Sequence, residues 1–170
     1  TQLAGVSFPE TLTGINYGAF AGCSSLTRAV YTGASMPYVA PNAFTGVHPD
    51  FVHYTLTGSP GDGHPVEPYE AYVDGLVLGY GWVRTHVGGG TVAIPAEYER
   101  YDSPGYVMSV QEVREYAFEG STQLAGVSFP LGLGQIRPSA FKGCSALTRA
   151  VYEPYASPSV DPSAFAGVPE

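Results

Sequence analysis

The chain repeats itself, and a repeat of this length restricts it to folds built from stacked units. The stretch TQLAGVSFP stands at residues 1–9 and again at 122–130, and the offset of 121 residues carries forward without a gap to Val47 and Val168. Inside this duplication runs a shorter period, marked by Ala19-Phe20, Ala43-Phe44, Ala117-Phe118, Ala140-Phe141 and Ala164-Phe165, each followed by one residue and a Gly. Spacings are 24 residues in the first half and 23 then 24 in the second. Short alternations such as Val6-Ser7-Phe8 have the strand period of two, and pairs three apart (Leu12 and Ile15, Met36 and Val39, Val110 and Val113, Leu133 and Ile136, with Ser157 and Val160 in the last copy) precede each Ala-Phe. One unit therefore reads as a short strand, a turn and a bent return segment ending in Phe. Such a unit buries its apolar face only by stacking on a neighbour. Phe20, Phe44, Phe118, Phe141 and Phe165 are accordingly expected to stack in register as one buried column.

Composition is consistent with a packed chain. Apolar residues make up 44% of the 170 and charged ones 13%, too few charges for the signature of disorder. With 22 Gly and 15 Pro, long helices are disfavoured. Seven basic against fifteen acidic residues leave a net charge of −8 and no basic stripe for a phosphate backbone, so nucleic acid and anionic membranes are poor partners. No apolar run reaches the length of a membrane span, and no charged start followed by an apolar stretch marks a signal peptide. The chain opens at Thr1, inside a repeat, which leads us to expect a piece of a longer protein.

Residues 15–37 and 136–158 carry the pattern I-x-x-x-A-F-x-G-C-x-x-L, with Ala29 and Ala150 where a larger aliphatic is usual. This pattern resembles the BspA-like, Treponema-type leucine-rich repeat family of bacterial and protozoan surface proteins. The resemblance covers roughly residues 1–48 and 90–170. It implies a repeat solenoid of short parallel strands with irregular return segments and little α-helix. It also implies a non-enzymatic, extracellular or cell-surface fragment that mediates adhesion or host-protein binding.

The middle of the chain does not repeat. Residues 1–57 read as the end of a first array, closed by a strand within 51–57, and the Pro/Gly-rich residues 58–68 as a linker. Residues 69–89 are dense in aromatics around Asp74-Gly75 and read as a hairpin cap or insertion; residues 90–170 then start a second array. One continuous solenoid with an irregular insertion is the rival organisation.

Chemistry-bearing residues are sparse. Cys23 and Cys144 occupy the same place in two copies, too many coils apart for a disulfide, and are expected to be reduced and internal. His48, Asp50, His53, Asp62 and His64 are the one group of metal-type residues, but their spacing fits no zinc signature, so no metal and no cofactor are expected. Hydrolase, metalloprotease, phosphate-loop and dinucleotide motifs are absent, and no paired carboxylates are set for glycoside hydrolysis, so an enzyme is not expected.

Surface recognition remains. By alternation Ser7, Arg28, Val30, Ser128, Arg149 and Val151 point outward, and the Arg fork suits a partner's carboxylates. The second expected surface is the aromatic tract of Tyr69, Tyr72, Tyr80, Trp82, Tyr98, Tyr101 and Tyr106, which would also stack on sugar rings. A glycan-binding module and a structural stalk are the alternatives to protein binding.

Overall fold

The computed structural model describes residues 3–169, so Thr1 and Gln2 of the first TQLAGVSFP copy lie outside the described residues. The chain divides into two compact units, residues 1–69 and 70–170.

In the first unit, β1 (Gly5–Phe8), β3 (Arg28–Tyr31), β5 (Val52–Thr55) and β6 (Val66–Pro68) form a four-stranded parallel sheet in that order. A second, two-stranded parallel sheet pairs β2 (Gly14–Ile15) with β4 (Tyr38–Val39). The sequence period has become hydrogen bonding between coils: the Thr27 hydroxyl reaches the Ala4 carbonyl 23 residues back, and Thr32 reaches Phe8 over 24. Part of the expected linker is a strand, because Val66–Pro68 continues the parallel sheet beside β5.

The second unit opens with a three-stranded antiparallel meander of β7 (Ala71–Val73), β8 (Leu76–Gly79) and β9 (Trp82–His86). Asp74-Gly75 makes the first turn, with φ of 49° and 85°. Tyr80-Gly81 makes a second that the sequence reading missed, with φ of 57° and 79°. Both have the two left-handed residues that match the twist of a tight hairpin. Tyr69, expected in this segment, belongs to the first unit, where its hydroxyl donates to the Tyr31 carbonyl at 2.7 Å.

Next come β10 (Gly90–Ala93), the antiparallel pair β11 (Glu97–Glu99) and β12 (Val107–Ser109), then β13 (Glu112–Val113), β14 (Leu124–Phe129), β15 (Gln135–Ile136), β16 (Arg149–Tyr152) and β17 (Ser159–Val160). β10, β14 and β16 form one parallel sheet. A six-stranded sheet runs β17-β15-β13-β9-β8-β7, parallel as far as β9 and antiparallel beyond it. No helix among the described residues is long and apolar enough to cross a membrane.

The Ala-Phe-x-Gly corner holds successive coils together. Phe118 and Phe141 donate backbone N–H bonds to the carbonyls of Ala140 and Ala164 at 2.7 Å, while Gly120 and Gly143 donate to Lys142 and Ala166 at 2.9 and 3.0 Å. Phe20 and Gly22 do the same to Ala43 and Thr45 at 2.8 Å. The corner Gly has φ between 68° and 74° in all five copies, a left-handed turn that a Cβ would strain. The rings stack above these bonds within each unit. Phe20 lies 5.1 Å from Phe44; Phe118, Phe141 and Phe165 follow one another at 4.6 and 4.8 Å. Phe20 and Phe165, on coils with a neighbour on one side only, are partly buried, whereas Phe44, Phe118 and Phe141 are fully buried.

Neither Cys23 nor Cys144 is in a disulfide. Cys144 is fully buried and its thiol donates to the Phe118 carbonyl at 3.1 Å. Cys23 departs from the expectation: it is half-buried.

Two outcomes follow. Phe141→Ala should lower stability by about 3–5 kcal/mol in a denaturant titration, and Phe165→Ala by clearly less. A thiol reagent added to the native chain should label Cys23 well before Cys144, the two rates converging in denaturant; equal native rates would contradict the burial difference.

Candidate functional site

The outer face of the six-stranded sheet collects the side chains best suited to recognition. Strand alternation sets Val83, Val113 and Ile136 inward, in register and fully buried. The register neighbours Trp82, Glu112, Gln135 and Ser159 therefore form an outward row across β9, β13, β15 and β17. One residue further along, Arg84, Arg114, Arg137 and Asp161 form a second row, with the N–H groups of the last three reaching the carbonyls of Val83, Val113 and Ile136, each at 3.0 Å. Three of the seven basic residues of an acidic chain thus stand side by side.

Aromatic rings separate and position these cations. The Arg84 guanidinium lies 5.8 Å from the Tyr80 ring centre, Tyr80 lies 6.2 Å from Trp82, and the Arg114 guanidinium sits 5.0 Å over the Trp82 ring. Such cation–π contacts are worth about 0.5–1 kcal/mol at exposed sites and hold long side chains in place. Arg137 pairs with the Glu112 carboxylate at 3.0 Å.

Tyr80 reaches this position through a strained backbone. Its left-handed φ is uncommon for a non-glycine residue. The turn is held from below: the buried Glu70 carboxylate accepts the Tyr80 N–H at 2.7 Å and the Tyr98 hydroxyl at 2.6 Å, while that hydroxyl accepts the Gly81 N–H at 3.0 Å. Burial, reinforced by the hydrogen bond to Glu70, pushes the Tyr98 phenol well above its ordinary range, so it remains a hydrogen donor.

Among the residues expected to bind, Tyr80 is 56% exposed and Tyr101 53%, while Tyr72 and Trp82 are half-buried. Tyr98 is buried, and Tyr106 is exposed with the Arg100 guanidinium 5.6 Å from its ring centre. Arg149 and Val151 are exposed on β16. Arg28 and Val30 correct the outward assignment: they are 5% and 0% exposed on β3. β3 is an inner strand whose flanks are closed by β1 and β5, with Val30 between Ser7 and Tyr54; β16 is the last strand of its sheet, with one flank open. The arginine row went unread, although Val83-Arg84, Val113-Arg114 and Ile136-Arg137 repeat an aliphatic-Arg step visible in the sequence.

The first unit holds a second polar cluster. The Asp62 Oδ2 lies 3.0 Å from His53 Nε2 and 3.1 Å from His64 Nδ1, and the Tyr31 hydroxyl lies 3.0 Å from His53 Nδ1. Burial holds His53 below its ordinary pKa against the pull of Asp62. Burial alone would raise the Asp62 carboxyl, but His53 and the hydrogen bonds from His64 outweigh it and hold the group below its usual range. His48 pairs with Asp50 at 3.7 Å.

Comparison with known proteins agrees with the repeat geometry. The family described as the BspA type leucine rich repeat region matches in six copies over residues 1–51 and 105–169, more than half of the chain. Among solved structures, the chain is similar to a leucine-rich repeat protein from Bacteroides capillosus ATCC 29799, with 21% identity and a TM-score of 0.42 over 49% of this chain. The match spans 64% of that protein's length. No curated protein matches the chain. With its repeated Ala-Phe-x-Gly corners and parallel ladders, the chain belongs to the BspA-type leucine-rich repeat family.

Proposed function

We propose that this chain is a non-enzymatic module that binds an acidic protein surface through the ridge of Tyr80, Trp82, Arg84 and Arg114, on the exterior of a cell or secreted from it. The observation that carries this reading is the alternation of guanidinium groups and aromatic rings along that ridge. Tyr, Trp and Arg are the residues in which interface energy concentrates, and their rigid or pre-set side chains lose little freedom on docking. Leucine-rich repeats of this family support a protein–protein role, and host-protein adhesion is the specific form proposed here. In the same reading residues 1–69 end one array, residues 70–89 cap the next and residues 90–170 begin it.

Glycan binding is the second reading, favoured by the exposure of Tyr80. The Arg114 guanidinium over Trp82 weighs against it, because a sugar stacking on that ring face would have to displace the cation.

The test immobilises the chain and measures binding to a panel of extracellular host proteins, with a glycan array in parallel. Trp82→Ala and Arg114→Ala should each weaken a protein ligand, the Trp82 change by about 30-fold or more, as for an interface residue worth at least about 2 kcal/mol. Arg149→Ala should leave affinity within about twofold, and denaturant midpoints should show that the loss is not unfolding. Undiminished binding by both ridge variants would overturn the assignment, and glycan signals without protein signals would favour the second reading.

A further inference from the structure

The polar cluster of the first unit is built like a metal centre, contrary to the expectation from spacing. His53 lies on β5, and Asp62 and His64 on the loop leading into β6. The parallel pairing of His53 with Val66, and the His53 N–H bond to the Pro65 carbonyl at 2.9 Å, bring that loop back over the His53 ring. The ligand atoms of the three residues all lie within 4.8 Å of one another. A tetrahedral ion with N and O ligands at about 2.0–2.2 Å places neighbouring donors roughly 3.3–3.5 Å apart. The observed 3.0 and 3.1 Å need only a few tenths of an ångström of adjustment to reach that spacing.

Asp62 Oδ2 lies 3.0 Å from His53 Nε2 and 3.1 Å from His64 Nδ1, so one carboxylate oxygen faces two ring nitrogens at once. An ion among the three atoms would use both ring nitrogens and the oxygen between them. The supporting contacts suit this role. Tyr31 engages the distal nitrogen of His53, as the outer partners of metal-bound imidazoles do. The Phe51 ring packs edge-on against both imidazoles at 4.7 and 5.2 Å and restrains their orientation. His64, with 31% of its side chain exposed, leaves a route for entry and a side open to water.

We propose that His53 Nε2, Asp62 Oδ2 and His64 Nδ1 form a zinc site that staples the 56–65 loop to the parallel sheet. Two imidazoles and one carboxylate suit zinc and disfavour magnesium and calcium, which take oxygen ligands. Binding requires His53 to carry its proton on Nδ1 toward the Tyr31 oxygen, freeing Nε2 for the ion.

The test uses the untagged chain, stripped with a chelator and desalted, and titrated with zinc chloride by calorimetry and thermal melting. One equivalent should bind, and the melting temperature should climb with zinc concentration, as for any ligand of the folded state alone. Magnesium chloride should leave it unmoved. Asp62→Asn and His64→Ala should abolish binding, and Tyr31→Phe should weaken it about 10–100-fold. Imidazole NMR of the unaltered chain provides a readout independent of how the variants fold: zinc should move the rings of His53 and His64 and leave His48 and His86 in place. Absence of stoichiometric binding, binding undiminished in His64→Ala, or shifts confined to His48 would overturn the site and leave a hydrogen-bonded triad.

Discussion

The corner formed by each Ala-Phe-x-Gly is the constraint on which the structure rests. Its two backbone N–H groups bond to the next corner, and its ring stacks on the next ring at 4.6–5.1 Å. Adjacent strands lie about 4.7–4.9 Å apart in the hydrogen-bonding direction. Ring stacking and strand pairing therefore demand the same separation between coils, and neither is strained to satisfy the other. Gly at the corner is required by its left-handed φ and not by crowding, since a Cβ placed on Gly46 or Gly143 would meet the preceding corner glycine only at ordinary contact distance, 3.6 and 4.0 Å from its Cα.

Fixed coil spacing turns sequence positions into rows. An aliphatic at one place in successive coils becomes a buried line, and an arginine one place later becomes a line on the opposite face, as with Val83-Val113-Ile136 beside Arg84-Arg114-Arg137. A recognition surface can then change without altering the core, because alternation separates the two sets. Exposure also depends on rank within the sheet. The identical LTRAVY segments place Arg28 between two strands, where it is buried, and Arg149 on the last described strand of its sheet, where it is exposed.

Much of the first unit's polar interior arises from a return of the chain that carries no repeat. Pairing of β6 with β5 converts the Pro/Gly-rich stretch into a cover over His53, with Asp62 only 2% exposed beneath it. A carboxylate so withdrawn from water needs partners, and the two imidazoles are those at hand. The second unit uses the same device at Glu70, whose buried carboxylate accepts hydrogen bonds from the Tyr80 amide and the Tyr98 hydroxyl and so holds a left-handed residue under the exposed ring.

The repeat, the Phe positions, the recurring corner glycines and the Asp74-Gly75 turn were legible in the amino-acid sequence, because each is a local pattern recurring at a set period or a dipeptide with its own conformational preference. The Tyr80-Gly81 turn was not legible, since a Tyr in that position is tolerated only when Glu70 and Tyr98 bind the turn from outside it. Nor was the meeting of His53 with Asp62 and His64, which no spacing rule describes because a strand pairing and not a helix or hairpin brings them together. Local sequence thus determined the shape and period of a coil. Stacking and edge position, which depend on contacts between distant residues, decided which outward side chains stay accessible and which polar groups share a buried site.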